Sequence, residues 1–188
     1  MAELSIVNAL GHTMPQNAIF GALSVMENSG LALASLSLSR EAVQPAPYGL
    51  QLPQAGRWLT GQKVAAFWTG PGQWMIEAEG RAQEDFARAL KAEVPQAHVT
   101  EQTDGWACFE IASSQGAVLI AALLEKLVNL DAMAFVPGSA TRTGLDHMPV
   151  FVIRRAENRL AVMGMRSSAA SLWHALITTM RHLQEMAK

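Results

Sequence analysis

The sequence predicts an α+β fold, with antiparallel sheets and helices packed on one face of them. Three observations carry that expectation. Apolar runs and turn signals read in the order β-ββ-α-ββ-α-ββ-α, so hairpins alternate with single helices. Each helix follows a strand pair, which points to two halves, each a split β-α-β unit of the ferredoxin-like kind. The length of 188 residues suits one domain or two small, closely packed halves. We therefore expect residues 1–29 to be an extended N-terminal arm. Residues 30–188 should then be a single domain of two fused halves, approximately 30–104 and 105–188. No sequence repeat accompanies the two halves.

In chain order, the arm is poor in charge, and Pro15 and Gly21 interrupt any helix in it. It reads as extended chain lying on something else, or as a frayed terminus. Leu31, Leu33, Leu36 and Leu38 mark a strand, and the change of phase between Leu33 and Leu36 predicts a bulge near Ala34 and Ser35. Residues 40–62 hold three prolines and three glycines and read as one long loop. Residues 64–69 and 74–78 flank Gly70-Pro71-Gly72 as a hairpin. A helix is expected over 82–94, with Phe86 and Leu90 on one face and Pro95 as its stop.

Residues 98–103 read as a polar edge segment. Residues 106–112 follow as a strand, with Trp106 and Cys108 on one face and Ala107, Phe109 and Ile111 on the other. An apolar helix over 115–128 should bury Leu119, Leu123 and Leu127, widened by Val118 and Ala122, with Ser113 or Ser114 as cap. Residues 150–154 and 160–164 are antiparallel strands around Ala156-Glu157-Asn158. The last helix, capped by Ser167 or Ser168, should bury Ala169, Trp173, Leu176, Met180 and Leu183. Arg181, His182 and Lys188 suit its C-terminal end.

Composition narrows the function classes. Charged residues are 16% of the chain, against about 25% in an average domain. The mean hydropathy is +0.14. A small domain has too much surface to be this poorly charged unless part of it is covered. The expectation is a subunit that meets partners, with an Ala- and Leu-rich monomer as the plainer alternative. From Gly138 onward seven bases face only Asp146, Glu157 and Glu185, an asymmetry that suits oriented docking on a charged partner. A net charge of −2 and the absence of a basic-aromatic motif argue against nucleic acid. One cysteine excludes an internal disulfide. The opening residues have no basic region before an apolar one, and no apolar run is long enough for a membrane span, so a cytoplasmic protein is expected.

The candidate chemistry is thin. Cys108 sits between Trp106 and Phe109 in a strand and reads as a buried, inert thiol. The five histidines show no metal-ligand spacing; His174 and His182 are roughly two helical turns apart. Asp146 and His147, beside Arg142, could form an oriented base, but no marked nucleophile accompanies them. They read better as a contact loop. Arg166, Ser167 and Ser168 open a helix and could hold a carboxylate or phosphate, although helix capping explains the serines as well. Trp58, Phe67, Trp68 and Trp74 could line a pocket for a flat ring, or serve as core or interface.

Several stretches also carry a family resemblance: FWTGPGQWMI (67–76), VTEQTDGWACFEI (99–111), LLEKLVNLD (123–131), ATRTGLDHM (140–148) and VIRRAENRLAVMGMRSSAASLWHAL (152–176). They resemble the gamma subunit of bacterial heterotetrameric sarcosine oxidase. The resemblance implies a fold similar to the folate-binding part of aminomethyltransferases. It also implies alpha, beta and delta subunits as partners, in a complex that oxidatively demethylates sarcosine to glycine, hydrogen peroxide and a one-carbon unit captured by tetrahydrofolate. FAD, FMN and NAD would be held by the two larger subunits, and no cofactor by this chain. No catalytic residue is implied here. Arg142, Asp146 and His147 then become candidate partner contacts, and Arg166, Ser167 and Ser168 a candidate anion site. The alternative is a folate-like small-molecule binding module.

Overall fold

The computed structural model describes residues 6–131 and 134–186. Residues 1–5 of the expected arm and Lys188 lie outside the described residues. The strands are β1 (Asn17–Phe20), β2 (Leu23–Glu27), β3 (Ala32–Ser37), β4 (Trp58–Thr60), β5 (Ala65–Gly70), β6 (Gln73–Ala78), β7 (His98–Glu101), β8 (Trp106–Ser113), β9 (Ala140–Leu145), β10 (Met148–Ala156) and β11 (Arg159–Met165). The helices are α1 (Phe86–Glu93), α2 (Ala117–Leu127) and α3 (Ala169–Met186). They build a mixed α+β fold of two antiparallel sheets. One sheet has six strands in the order β1-β2-β8-β11-β10-β9, the other five in the order β4-β5-β6-β3-β7.

Three cores explain the layering. One face of the five-stranded sheet buries Ala34, Leu36, Trp74 and Ile76 against Phe86 and Leu90 of α1. One face of the six-stranded sheet buries Phe109, Ile111, Val152 and Val162 against Ile120, Leu123, Leu172 and Leu176 of α2 and α3. The two remaining faces meet each other. Leu33, Phe67 and Met75 from one sheet pack against Cys108, Phe151, Ile153 and Met163 from the other, with the Phe67 and Phe151 rings 5.0 Å apart. Each sheet thus has helices on one face and the other sheet on the second.

The first half is a split β-α-β unit. β3 pairs antiparallel with both β6 and β7, so those two strands run parallel with β3 between them, joined by α1. In the second half α2 joins β8 to β9, which lie two strands apart, with β11 and β10 between. The hairpin β1–β2 comes from the segment expected as an arm. It docks on the chain's own six-stranded sheet, β2 pairing with β8 over Leu23–Glu27.

Several local expectations change. No bulge interrupts β3, which pairs with β6 without a register shift from Ala32↔Ala78 to Ser37↔Gln73. Both faces of this strand are buried, so Leu33 packs between the sheets while Leu36 packs under α1, and no change of phase is needed. The long loop contains the short edge strand β4, and the polar stretch after Gly138 is the edge strand β9. α1 starts later than expected, with Asp85 as its N-cap accepting a hydrogen bond from the Arg88 N–H. α2 is rotated relative to the expected stripe: Ile120, Leu123 and Leu124 are buried, while Val118 is 76% exposed. Its N-cap is Gly116 at φ +76°, without a side-chain cap.

Gly164 marks where α3 comes down on the sheet. A β-carbon there would stand 2.8 Å from Leu172 Cδ2 and 3.6 Å from Val150 Cγ1. Leu172 is fully buried and has nowhere to retreat. Gly164→Ala should therefore destabilise the fold by about 1–3 kcal/mol in urea unfolding. A change below about 0.5 kcal/mol would show that the packing of α3 is loose.

Candidate functional site

The strongest cluster of chemistry lies at one end of the intersheet core. Strand alternation puts it there. On β6, Met75 and Glu77 face the opposite sheet; on β8, Cys108 and Glu110; on β10, Ile153 and Arg155. In each strand an apolar stripe ends in a charged residue, and the three charged residues meet. Arg155 Nη1 donates to Glu77 Oε2 at 2.9 Å, and Nη2 to Glu77 Oε1 at 3.3 Å. This is a two-pronged contact between the sheets. Arg155 Nε donates to Glu110 Oε1 at 2.9 Å. Trp58 of β4 completes the group: its Nε1–H donates to Glu77 Oε2 at 3.1 Å, and the Arg155 guanidinium lies over its ring at 5.1 Å.

Burial sets the electrostatics. The Glu77 side chain is 3% exposed, that of Arg155 15% and that of Glu110 24%. Burial alone would lower the pKa of Arg155, but Glu77 and Glu110 outweigh it and hold the guanidinium charged more firmly than usual. Glu110 moves the other way. Burial raises its pKa and the neighbouring Glu77 adds to the rise, while Arg155 opposes both. The Cys108 thiol points its weak donor at Glu110 Oε1, 3.7 Å away. Burial, then the Glu110 charge, pushes that thiol well above its ordinary range, which makes it a poor nucleophile.

The cluster forms the floor of a cavity of about 750 Å³. Its walls come from the hairpin β1–β2 of one sheet and from β4, β5 and the loop between them of the other. Ile19 and Met26 point into the gap, 74% and 51% exposed. Leu31 and Ala65 line the other side, and Lys63, Glu79 and Arg159 stand at the exposed rim. A volume of this size suits a small organic molecule.

Of the residues singled out from sequence, Trp58 and Cys108 touch this cluster, and the others lie elsewhere. Arg142 is exposed on the edge strand β9. Asp146 and His147 form the two-residue turn between β9 and β10, at φ +45° and +65°. Two left-handed residues in a two-residue hairpin are the requirement of a type I′ turn, which Asn-Gly meets with less strain. The pair is an exposed tip with no base-and-nucleophile geometry. Arg166 donates to the carbonyl oxygens of Val7 and Asn8 at 2.9 and 3.0 Å, tying down the N-terminal segment. Ser167 and Ser168 follow it in a 3-10 turn that leads into α3.

The N-terminal segment is held from a second side. The buried carboxylate of Glu27 accepts from the N–H groups of Ala9 at 2.9 Å, Leu10 at 3.3 Å and Gln16 at 3.3 Å. The aromatic set does not converge. Of its members only Trp58 lines the cavity; Phe67 is buried between the sheets, Trp68 packs toward α1, and Trp74 Nε1 donates to Pro53 O at 2.8 Å. No group of three metal-ligating side chains exists among the described residues. No motif marks Glu77, Glu110 and Arg155 in the sequence; their signal is a charge at an inward position of an apolar strand.

The raised Glu110 pKa has a consequence for stability. In the unfolded chain this carboxyl ionises near the usual value of about 4.3. In the folded protein it holds its proton to higher pH, so the folded state binds more protons between the two values, and stability falls as pH rises through that window. The wild type should lose stability there relative to Glu110→Gln, which has no such titration. Chemical unfolding of both from pH 4 to 7.5 tests this. A stability difference that stays flat or changes in the opposite sense would contradict it.

The fold also has relatives of known structure. No family model matches the sequence, and no curated protein matches it. Among solved structures, a chain of the heterotetrameric sarcosine oxidase from Corynebacterium sp. U-96, in complex with pyrrole 2-carboxylate, superposes with a TM-score of 0.74 at 20% identity. That match covers 89% of this chain and 88% of the other. The glycine cleavage system aminomethyltransferase T from Bartonella henselae superposes with a TM-score of 0.59 at 18% identity, covering 80% of this chain and 44% of that one. The two-sheet α+β architecture is therefore shared with a chain of a heterotetrameric oxidase and with part of an aminomethyltransferase.

Proposed function

We propose that this chain is the gamma subunit of a heterotetrameric sarcosine oxidase, with a structural and assembly role rather than a catalytic one. The observation that carries this is the near end-to-end likeness to a chain of such an oxidase, over 89% of one chain and 88% of the other. Low charge supports it, as do the exposed apolar side chains Ile19, Val118 and Met165 on a small body. In this reading the partners are the alpha, beta and delta subunits. FAD, FMN and NAD belong to the larger subunits, and tetrahydrofolate takes up the one-carbon unit in the complex. Arg142, Asp146 and His147 stand on one exposed hairpin and serve as partner contacts. The strain of two left-handed, non-glycine residues favours a turn kept for its side chains.

A second reading, a folate-like small-molecule binding module, is favoured by the cavity between the sheets. Titration of the full chain with tetrahydrofolate tests it, with tryptophan fluorescence as the signal. No saturable change would count against it.

The assembly reading makes a paired prediction. Co-expressed with its three partners, the tagged chain should purify within a yellow complex. Asp146→Asn with His147→Gly relaxes the turn and should stabilise the isolated chain by about 0.5–1 kcal/mol. The same double change, or Arg142→Ala, should weaken its capture by the partners. An oxidase that assembles fully without this chain would sink the reading.

A further inference from the structure

The floor of the cavity is not balanced in charge. Glu77 and Glu110 carry two negative charges against the one positive charge of Arg155. The hydrogen bonds locate the surplus. Both oxygens of Glu77 are taken by Arg155, and Oε2 also by Trp58. Glu110 Oε1 takes the Arg155 Nε–H and the Cys108 thiol. Glu110 Oε2 accepts no hydrogen bond among the described residues, and it is not sealed in, because Glu110 lines the cavity and its side chain is 24% exposed. One carboxylate oxygen, backed by an uncompensated charge in a half-buried site, therefore faces an open space of about 750 Å³. The rim charges on Lys63, Glu79 and Arg159 stand in solvent, where water and salt screen them. The floor charge is screened far less.

We propose that the intersheet cavity binds an organic cation, an amine, amidine or guanidine carried on an apolar or planar body. Its N–H groups donate to Glu110, and its body lies against Ile19, Met26 and Leu31. This rests on the second reading above, that the cavity holds a small molecule, and names the class of that molecule. A charge-assisted hydrogen bond to a partly desolvated carboxylate is strong enough to select a cation over a neutral isostere. The apolar walls supply the remaining affinity. A neutral ligand would leave the surplus charge unmatched, and an anion would be repelled by it. Burial raises the pKa of Glu110, with Glu77 adding to the rise and Arg155 opposing it, as expected for a buried carboxylate whose charge is only partly matched.

Benzamidine, benzamide and benzoate share one shape and differ in charge, so they serve as probes by calorimetric titration of the full chain. Benzamidine should bind saturably, benzamide at least about tenfold more weakly, and benzoate not at all. Glu110→Gln should weaken benzamidine by about tenfold or more. Ile19→Lys changes an exposed wall residue and leaves the floor intact; it should weaken benzamidine through repulsion even if Glu110→Gln fails to fold. Equal binding of benzoate, or benzamidine binding that neither variant changes, overturns the proposal. Absence of saturable benzamidine binding also overturns it. If tetrahydrofolate still binds in that case, the small-molecule reading stands with another ligand class; if neither binds, both fail. Benzamidine binding to the free chain that is lost in the assembled complex overturns it in favour of a basic side chain from a partner.

Discussion

Arg155 reaches from β10 of the six-stranded sheet and holds both oxygens of Glu77 on the five-stranded sheet, with Glu110 of its own sheet behind it. The apolar contact between the sheets, Phe67 and Met75 on Phe151 and Met163, supplies area but little direction. A forked guanidinium–carboxylate contact supplies direction, because both donors must meet both acceptors in one plane. It also demands company. Glu77 buried without Arg155 would be an uncompensated charge, a situation that costs about 3–5 kcal/mol. Trp58 and the floor of the cavity are built around this contact.

The parts of the fold legible in the sequence are those where a single rule acts alone. The hairpin β5–β6 announces itself through Pro71-Gly72, with Gly72 at φ +67°. The two faces of β8 follow strict alternation, and the stripe of α3 keeps its period through Ala169, Leu176 and Met180. Where two cores meet one element, the rule blurs. β3 is buried on both faces, so its leucines look out of phase although the strand is regular. α2 is apolar nearly all round, and its buried stripe cannot be picked out by period alone. β4 and β9 are edge strands, short or polar, and resemble loops.

The site was hidden for a related reason. Glu77, Glu110 and Arg155 are far apart in sequence, and Glu77 and Arg155 sit next to the ends of their strands, where a charged residue usually signals solvent. Only the face-to-face packing of the sheets turns these three separate charges into one largely buried group. Asp146 and His147 have side chains that can do chemistry, whereas their backbone shows that they make a turn. The likeness to an oxidase chain and to part of an aminomethyltransferase extends over this same two-sheet body. This body is small and weakly charged, with the ion pairs of Arg155 inside it and several apolar side chains exposed.

The most direct test of this account is a double-mutant cycle between the sheets, using Glu77→Gln, Arg155→Met and the two together, with stability read by urea unfolding. The account predicts a coupling energy toward the upper end of the usual range of about 0.5–3 kcal/mol, because Arg155→Met leaves the buried Glu77 charge without its partner and the double change removes that charge. Additivity within about 0.3–0.5 kcal/mol would contradict it and show that apolar packing alone holds the two halves together.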